Sequence, residues 1–96
     1  MPYIKQDIRN HIDECINQLA SLSRQAATSY SYDFDKNRGG ILNYIITRIA
    51  LKFAGTHSYA SLSQMKAAMT DAADEWYRRQ MAPYEDKKIQ ENGDVF

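Results

Sequence analysis

Between residues 6 and 27 the apolar positions Ile8, Ile12, Cys15, Ile16, Leu19, Leu22 and Ala26 recur in steps of three and four. At 100° per residue they occupy a sector about 120° wide, and Asp13, Asn17 and Arg24 lie opposite. This pattern predicts one amphipathic helix over about 6–27. The stretch 28–40, TSYSYDFDKNRGG, has no helical period and is rich in Ser, Asp, Asn and Gly, so a long loop is expected there. A second helix is expected over about 41–54. Ile41, Leu42, Ile45, Ile46, Ile49 and Phe53 cover one broad face of it, and Tyr44 and Leu51 form a second apolar stripe. A helix that is apolar on two sides belongs in the middle of something, either as the central helix or against a neighbouring subunit.

Gly55 suits a helix stop, and Ser58 suits an N-cap for a third helix over about 59–81. There Leu62, Met65, Met69, Ala72, Ala73 and Trp76 share a face, while Asp71, Asp74, Glu75, Arg78 and Arg79 point to water. The pairs Asp74–Arg78 and Glu75–Arg79 have the favourable four-residue spacing. Pro83 lacks an amide proton and crowds the Arg79 carbonyl, so the helix is expected to kink there or restart as a short helix over about 83–91, stopping at Asn92-Gly93. The expected fold is all-α: one domain over 1–96, a small bundle of three long helices plus a short C-terminal helix. A core this thin is commonly supplemented by self-association, so a homo-oligomer is expected.

Composition narrows the function classes. Twelve Lys and Arg balance twelve Asp and Glu, so no overall field favours long duplex nucleic acid or an anionic membrane. The apolar run Ile41–Ala54 is interrupted by Asn43, Thr47, Arg48 and Lys52, which argues against a membrane span. Pro2 and Tyr3 do not open a basic-then-apolar leader, and a cytoplasmic location is the default expectation.

Candidate chemistry is sparse. Asp33, Asp35 and Asn37 begin like a helix–loop–helix calcium loop, but Arg38 stands where a glycine is needed and Tyr44 where a bidentate Glu is needed. His11 and Cys15 are four apart on one helix, and two ligands do not close a metal site, so a half-buried Cys with His11 beside it is expected instead. His57-Ser58 falls at a helix start where Ser58 has a capping role, and no nucleophile elbow or phosphate loop exists. The expectation is therefore no catalytic residue, no metal, no cofactor and no enzyme.

What does stand out is the grouping of aromatic and basic side chains. Tyr30, Tyr32 and Phe34 crowd one stretch. Tyr77, Arg78 and Arg79 end the third helix and are followed by Tyr84, Lys87 and Lys88, while Tyr44, Arg48 and Lys52 share a stripe. Aromatic faces stack on bases and arginine grips phosphate in a two-pronged fork, so such sets suit a nucleotide-sized anion. The tail is polar but carries Tyr84, Ile89, Val95 and Phe96 as anchors, so it can dock on its own chain or on a neighbour.

The segments MPYIKQD, GILNYIITR and EWYRRQMAPYEDKKIQENGDVF together resemble a family of small uncharacterised proteins of bacteriophages and prophages. The resemblance spans nearly the whole chain, is weakest over 23–38, and brings no activity or functional residue with it. It implies a non-catalytic binder in the host cytoplasm that counters host defence. Such a binder would capture a signalling nucleotide between subunits of a homo-oligomer. Alternatively it would block a host or phage protein through the third helix and tail, with Trp76, Tyr84 and Phe96 as anchors.

Overall fold

The computed structural model describes residues 4–55 and 57–96. It is all-α, with no strand among those residues: α1 Gln6–Ser29, α2 Phe34–Ala54, and α3 Tyr59–Trp76 running through a π-helical turn, Tyr77–Met81, into α4 Ala82–Asn92. The last three elements form one continuous helix of 34 residues. No helix among the described residues is long and apolar enough to cross a membrane.

The first difference from the sequence expectation lies at 28–40, which is mostly helix. α1 ends in a Schellman motif. The Tyr32 amide donates to the Ala27 carbonyl at 2.8 Å and the Ser31 amide to the Thr28 carbonyl at 3.1 Å, with Ser31 left-handed at φ 56°. Ala27, whose carbonyl closes the motif, is buried. α2 then begins at once, because the Asp33 carboxylate accepts from the Lys36 amide at 3.1 Å and caps its first turn. The expected loop thus shrinks to the turn Tyr30–Asp33. Gly39 and Gly40 hid the helical period because they carry no side chain to mark a face.

α2 stops as expected at Gly55, whose φ of 62° is left-handed. Ser58 caps α3 as expected, its hydroxyl accepting from the Ser61 amide at 3.1 Å. The Ser61 hydroxyl in turn donates to the Ala54 carbonyl at 2.6 Å, and Ala54 is buried.

The second difference lies at Pro83, where a kink or restart was expected and the helix passes through. An α-helix would ask the Pro83 nitrogen to donate to Arg79, and it has no proton to give. The π turn just before it widens the ladder, with the Ala82 amide reaching five residues back to the Tyr77 carbonyl. The backbone stays helical at Trp76, Met81 and Ala82. Gly93, with φ 86°, ends the helix, its amide donating to Ile89 at 2.8 Å.

Ala27 and Ala54 are the buried residues among those described. The apolar stripes of the helices are exposed: Ile8, Ile12, Ile16, Leu19 and Leu22 on α1, Leu42, Tyr44, Ile46, Ile49, Leu51 and Phe53 on α2, and Leu62, Met69 and Trp76 on α3.

Candidate functional site

The π turn shapes the surface on which the sequence gathered its tyrosines and arginines. An extra residue in the turn rotates α3 about the helix axis relative to α4, so Tyr77 reaches a residue eight positions on. Its hydroxyl donates to the Glu85 carboxylate at 3.3 Å. The negative charge of Glu85 disfavours the phenolate and holds the Tyr77 hydroxyl above its usual pKa of 10.0, with Asp86 adding to the effect.

Arg78 and Arg79 lie within the turn and share one carboxylate. A single Arg78 Nη lies 2.8 Å from both Glu75 oxygens, and Arg79 Nε lies 3.5 Å from one of them. The Arg78 hydrogen bond, reinforced by both guanidinium charges, lowers the Glu75 pKa below its usual 4.5. Sequence spacing suggested Asp74 for Arg78; the carboxylate three residues back, Glu75, holds it. Both arginine side chains stay more than half exposed.

One turn further on, the Lys88 ammonium sits 5.6 Å from the centre of the Tyr84 ring, a cation–π distance, and is also 3.2 Å from Glu91. Tyr84, Lys88 and Ile89 line a groove of about 350 Å³, completed by Asn92 and the tail through Phe96. The tail is turned by the Phe96 amide donating to the Asp94 carboxylate at 2.9 Å. Val95 and Phe96 nevertheless remain almost wholly in water. Tyr77, Arg78, Arg79, Tyr84 and Lys88 therefore lie within about three turns of one continuous helix, Tyr77 paired with Glu85, the two arginines with Glu75, and Lys88 with Tyr84 and Glu91.

The other sequence candidates fall into two separate groups. Tyr44, Arg48 and Lys52 succeed one another every four residues on α2 and share a stripe, as expected. Tyr30 and Tyr32 lie in the short turn after α1, exposed, and Phe34 is the first residue of α2. The Arg24 guanidinium packs 4.3 Å above the Phe34 ring. Sequence reasoning placed Arg24 on the polar face of α1 and missed this role, because the pairing depends on the Schellman turn folding the chain back. Asp33, read as a conceivable calcium ligand, is engaged as a helix cap. Cys15, expected half-buried, is exposed. Among the described residues no three His, Cys, Asp or Glu side chains gather as metal ligands would.

These features define an all-α chain with exposed apolar residues along its helices, and with tyrosine and arginine paired to carboxylates around a π turn. The chain belongs to the family described as Domain of unknown function (DUF6899), which matches it over residues 1–95. No curated protein and no solved structure matches it.

Proposed function

We propose that this protein is a non-catalytic, self-associating binding protein that captures a small anionic ligand of the signalling-nucleotide type, at or near a subunit interface. The observation that carries the reading is the π turn at Tyr77–Met81, placed where Tyr77, Arg78 and Arg79 stand. A π turn departs from the regular helical hydrogen-bond ladder, and such turns recur at functional sites. In this reading Arg78 and Arg79 neutralise a phosphate or pyrophosphate, and Tyr77 and Tyr84 offer ring faces to a base. Glu75 holds the guanidinium groups in place until an anion competes for them. The stripe Tyr44, Arg48 and Lys52 and the set Tyr30, Tyr32 and Phe34 have the same chemical character and are secondary candidates. In this reading the capture takes place in host cytoplasm and counters nucleotide-based defence, and the resemblance to small phage and prophage proteins is what supports that part of it.

A second reading is favoured by the groove beside the tail. Exposed Trp76, Tyr84 and Phe96 on one helix and its tail suit an inhibitor or adaptor that docks on a host or phage protein.

A thermal-shift screen with cyclic and ADP-ribose-type nucleotides separates the two readings. A tight ligand raises the melting temperature by several degrees through mass action, and Arg78→Ala with Arg79→Ala removes the rise while the helical circular-dichroism signal persists. If no nucleotide shifts the wild type and a Trp76→Ala, Phe96→Ala protein loses a captured host protein, the second reading stands and the first is abandoned.

A further inference from the structure

We infer that Pro83 is a positioning residue: it forces the π turn ahead of it, and that turn sets the rotational register in which Tyr77 meets Glu85. This role stands whether or not a nucleotide is captured, since it rests on the backbone.

Pro83 is the second residue of α4, inside a helix that runs on without a break. In a regular α-helix its ring would press on the Arg79 carbonyl, and its nitrogen has no proton to offer that oxygen. Proline also disfavours helical angles at the residue before it, yet Ala82 keeps φ −59° and ψ −45°. The helix therefore has to give way just upstream. It does so at Tyr77–Met81, a span that contains Arg79, where the Ala82 amide reaches five residues back to the Tyr77 carbonyl. The five-residue step widens the turn and makes room for the ring beside the Arg79 carbonyl. Among the described residues this is the only π turn, and Pro83 is the only proline within a helix.

A π turn acts as one extra residue, and one residue of an α-helix turns by about 100°. In an unbroken α-helix, residues eight apart lie about 80° apart around the axis, and residues seven apart about 20°. Tyr77 and Glu85 are eight apart, yet the hydroxyl and the carboxylate are 3.3 Å from each other. They meet as residues seven apart would in a regular helix. Without the extra residue Glu85 would swing about 100° around the axis, and Tyr84 would come into line with Tyr77 in its place. The register thus decides whether a carboxylate or a second ring stands beside Tyr77.

Pro83→Ala tests the register, with the phenol of Tyr77 as reporter. Glu85 holds that hydroxyl above its usual pKa of 10.0, with Asp86 adding to the effect. In the wild type, Glu85→Gln is expected to bring the midpoint down, read by ultraviolet difference titration against the matching Tyr77→Phe protein. Pro83→Ala should bring it down as well, and adding Glu85→Gln to Pro83→Ala should then change nothing further. Deleting Gln80 from the Pro83→Ala protein leaves Tyr77 and Glu85 seven apart in a regular helix and should raise the midpoint again. That rescue separates register from damage, because a protein merely weakened by Pro83→Ala would not recover on losing a residue. Circular dichroism checks that each variant stays helical, and alanine in place of a proline inside a helix should raise the melting temperature.

If the Pro83→Ala protein still responds to Glu85→Gln as strongly as the wild type does, the register does not come from Pro83 and the inference is overturned. A helical deletion variant that fails to restore the midpoint overturns it too, as does a wild-type midpoint that Glu85→Gln leaves in place. Nucleotide capture is judged separately by thermal shift, so either idea can fail without the other.

Discussion

Ser61 binds the end of one helix to the start of the next: its hydroxyl donates to the Ala54 carbonyl at 2.6 Å while its own amide donates to Ser58. Ala54 is buried, so its carbonyl has little access to water as a substitute partner. Ser61→Ala leaves that acceptor unsatisfied and is expected to lower unfolding free energy by about 1–3 kcal/mol. Urea titration at fixed protein concentration measures the loss. Ser61→Thr keeps the hydroxyl and should recover most of it; an unchanged midpoint for Ser61→Ala would show that the bond contributes nothing.

Ser31 adopts a left-handed backbone that favours glycine. Ser31→Gly should therefore raise stability by about 1 kcal/mol, read as a higher melting temperature. The reverse logic applies to Gly39 inside α2. A methyl group there meets no atom of the chain within 4 Å, and Gly39→Ala should gain about 0.5–1 kcal/mol from helix propensity alone. A loss instead of a gain would mean that another molecule approaches α2 closely at that point.

The Tyr77–Glu85 pair predicts a titration. Tyr77 keeps its proton above its ordinary pKa of 10.0 because Glu85 is negative beside it. A raised folded value means that the contribution to stability is complete below pH 10 and fades as pH rises through the folded pKa. The ultraviolet difference titration between wild type and Tyr77→Phe isolates this phenol, and Glu85→Gln should move its midpoint down. No movement would place the carboxylate out of reach of the hydroxyl in solution.

Glu75 predicts the opposite arm. Its pKa is lowered by the Arg78 hydrogen bond and the two guanidinium charges. Its contribution is present above the ordinary carboxylate value of 4.5 and is lost as pH falls through the lowered one. Removing its charge with Glu75→Gln takes away the internal competitor for a bound anion. Affinity for a pyrophosphate-bearing nucleotide should tighten by about fivefold at most, the scale of an exposed ion pair. Calorimetry measures it, and a weaker affinity would mean that Glu75 positions the arginines rather than competing for them.

Much of the fold was legible along the chain. Periodicity placed α1 and α3, glycine and serine marked the break at Gly55–Ser58, and the doubled stripe of α2 signalled apolar surface in need of cover. Three features were not legible, each because it depends on backbone hydrogen bonds that side-chain pattern does not carry. The Schellman turn at Ser31 replaces glycine with serine, the Asp33 cap starts α2 before any apolar residue marks a period, and the π turn lets the helix absorb Pro83. The site divides the same way. Residue types picked out Tyr77, Arg78, Arg79 and Tyr84, but sequence spacing could not show that Glu75 would hold both arginines or that Glu85 would hold Tyr77.

The order of residues alone therefore determined that this protein is helical, where most of its helices stop, and which faces are greasy, because helix propensity and period are local properties. Tertiary structure decided what the pattern cannot encode. Ala27 and Ala54 are buried near the ends of their own helices, Tyr77 meets Glu85 across one irregular turn, and large apolar residues along the helices stay exposed, since burial depends on what meets a surface in space.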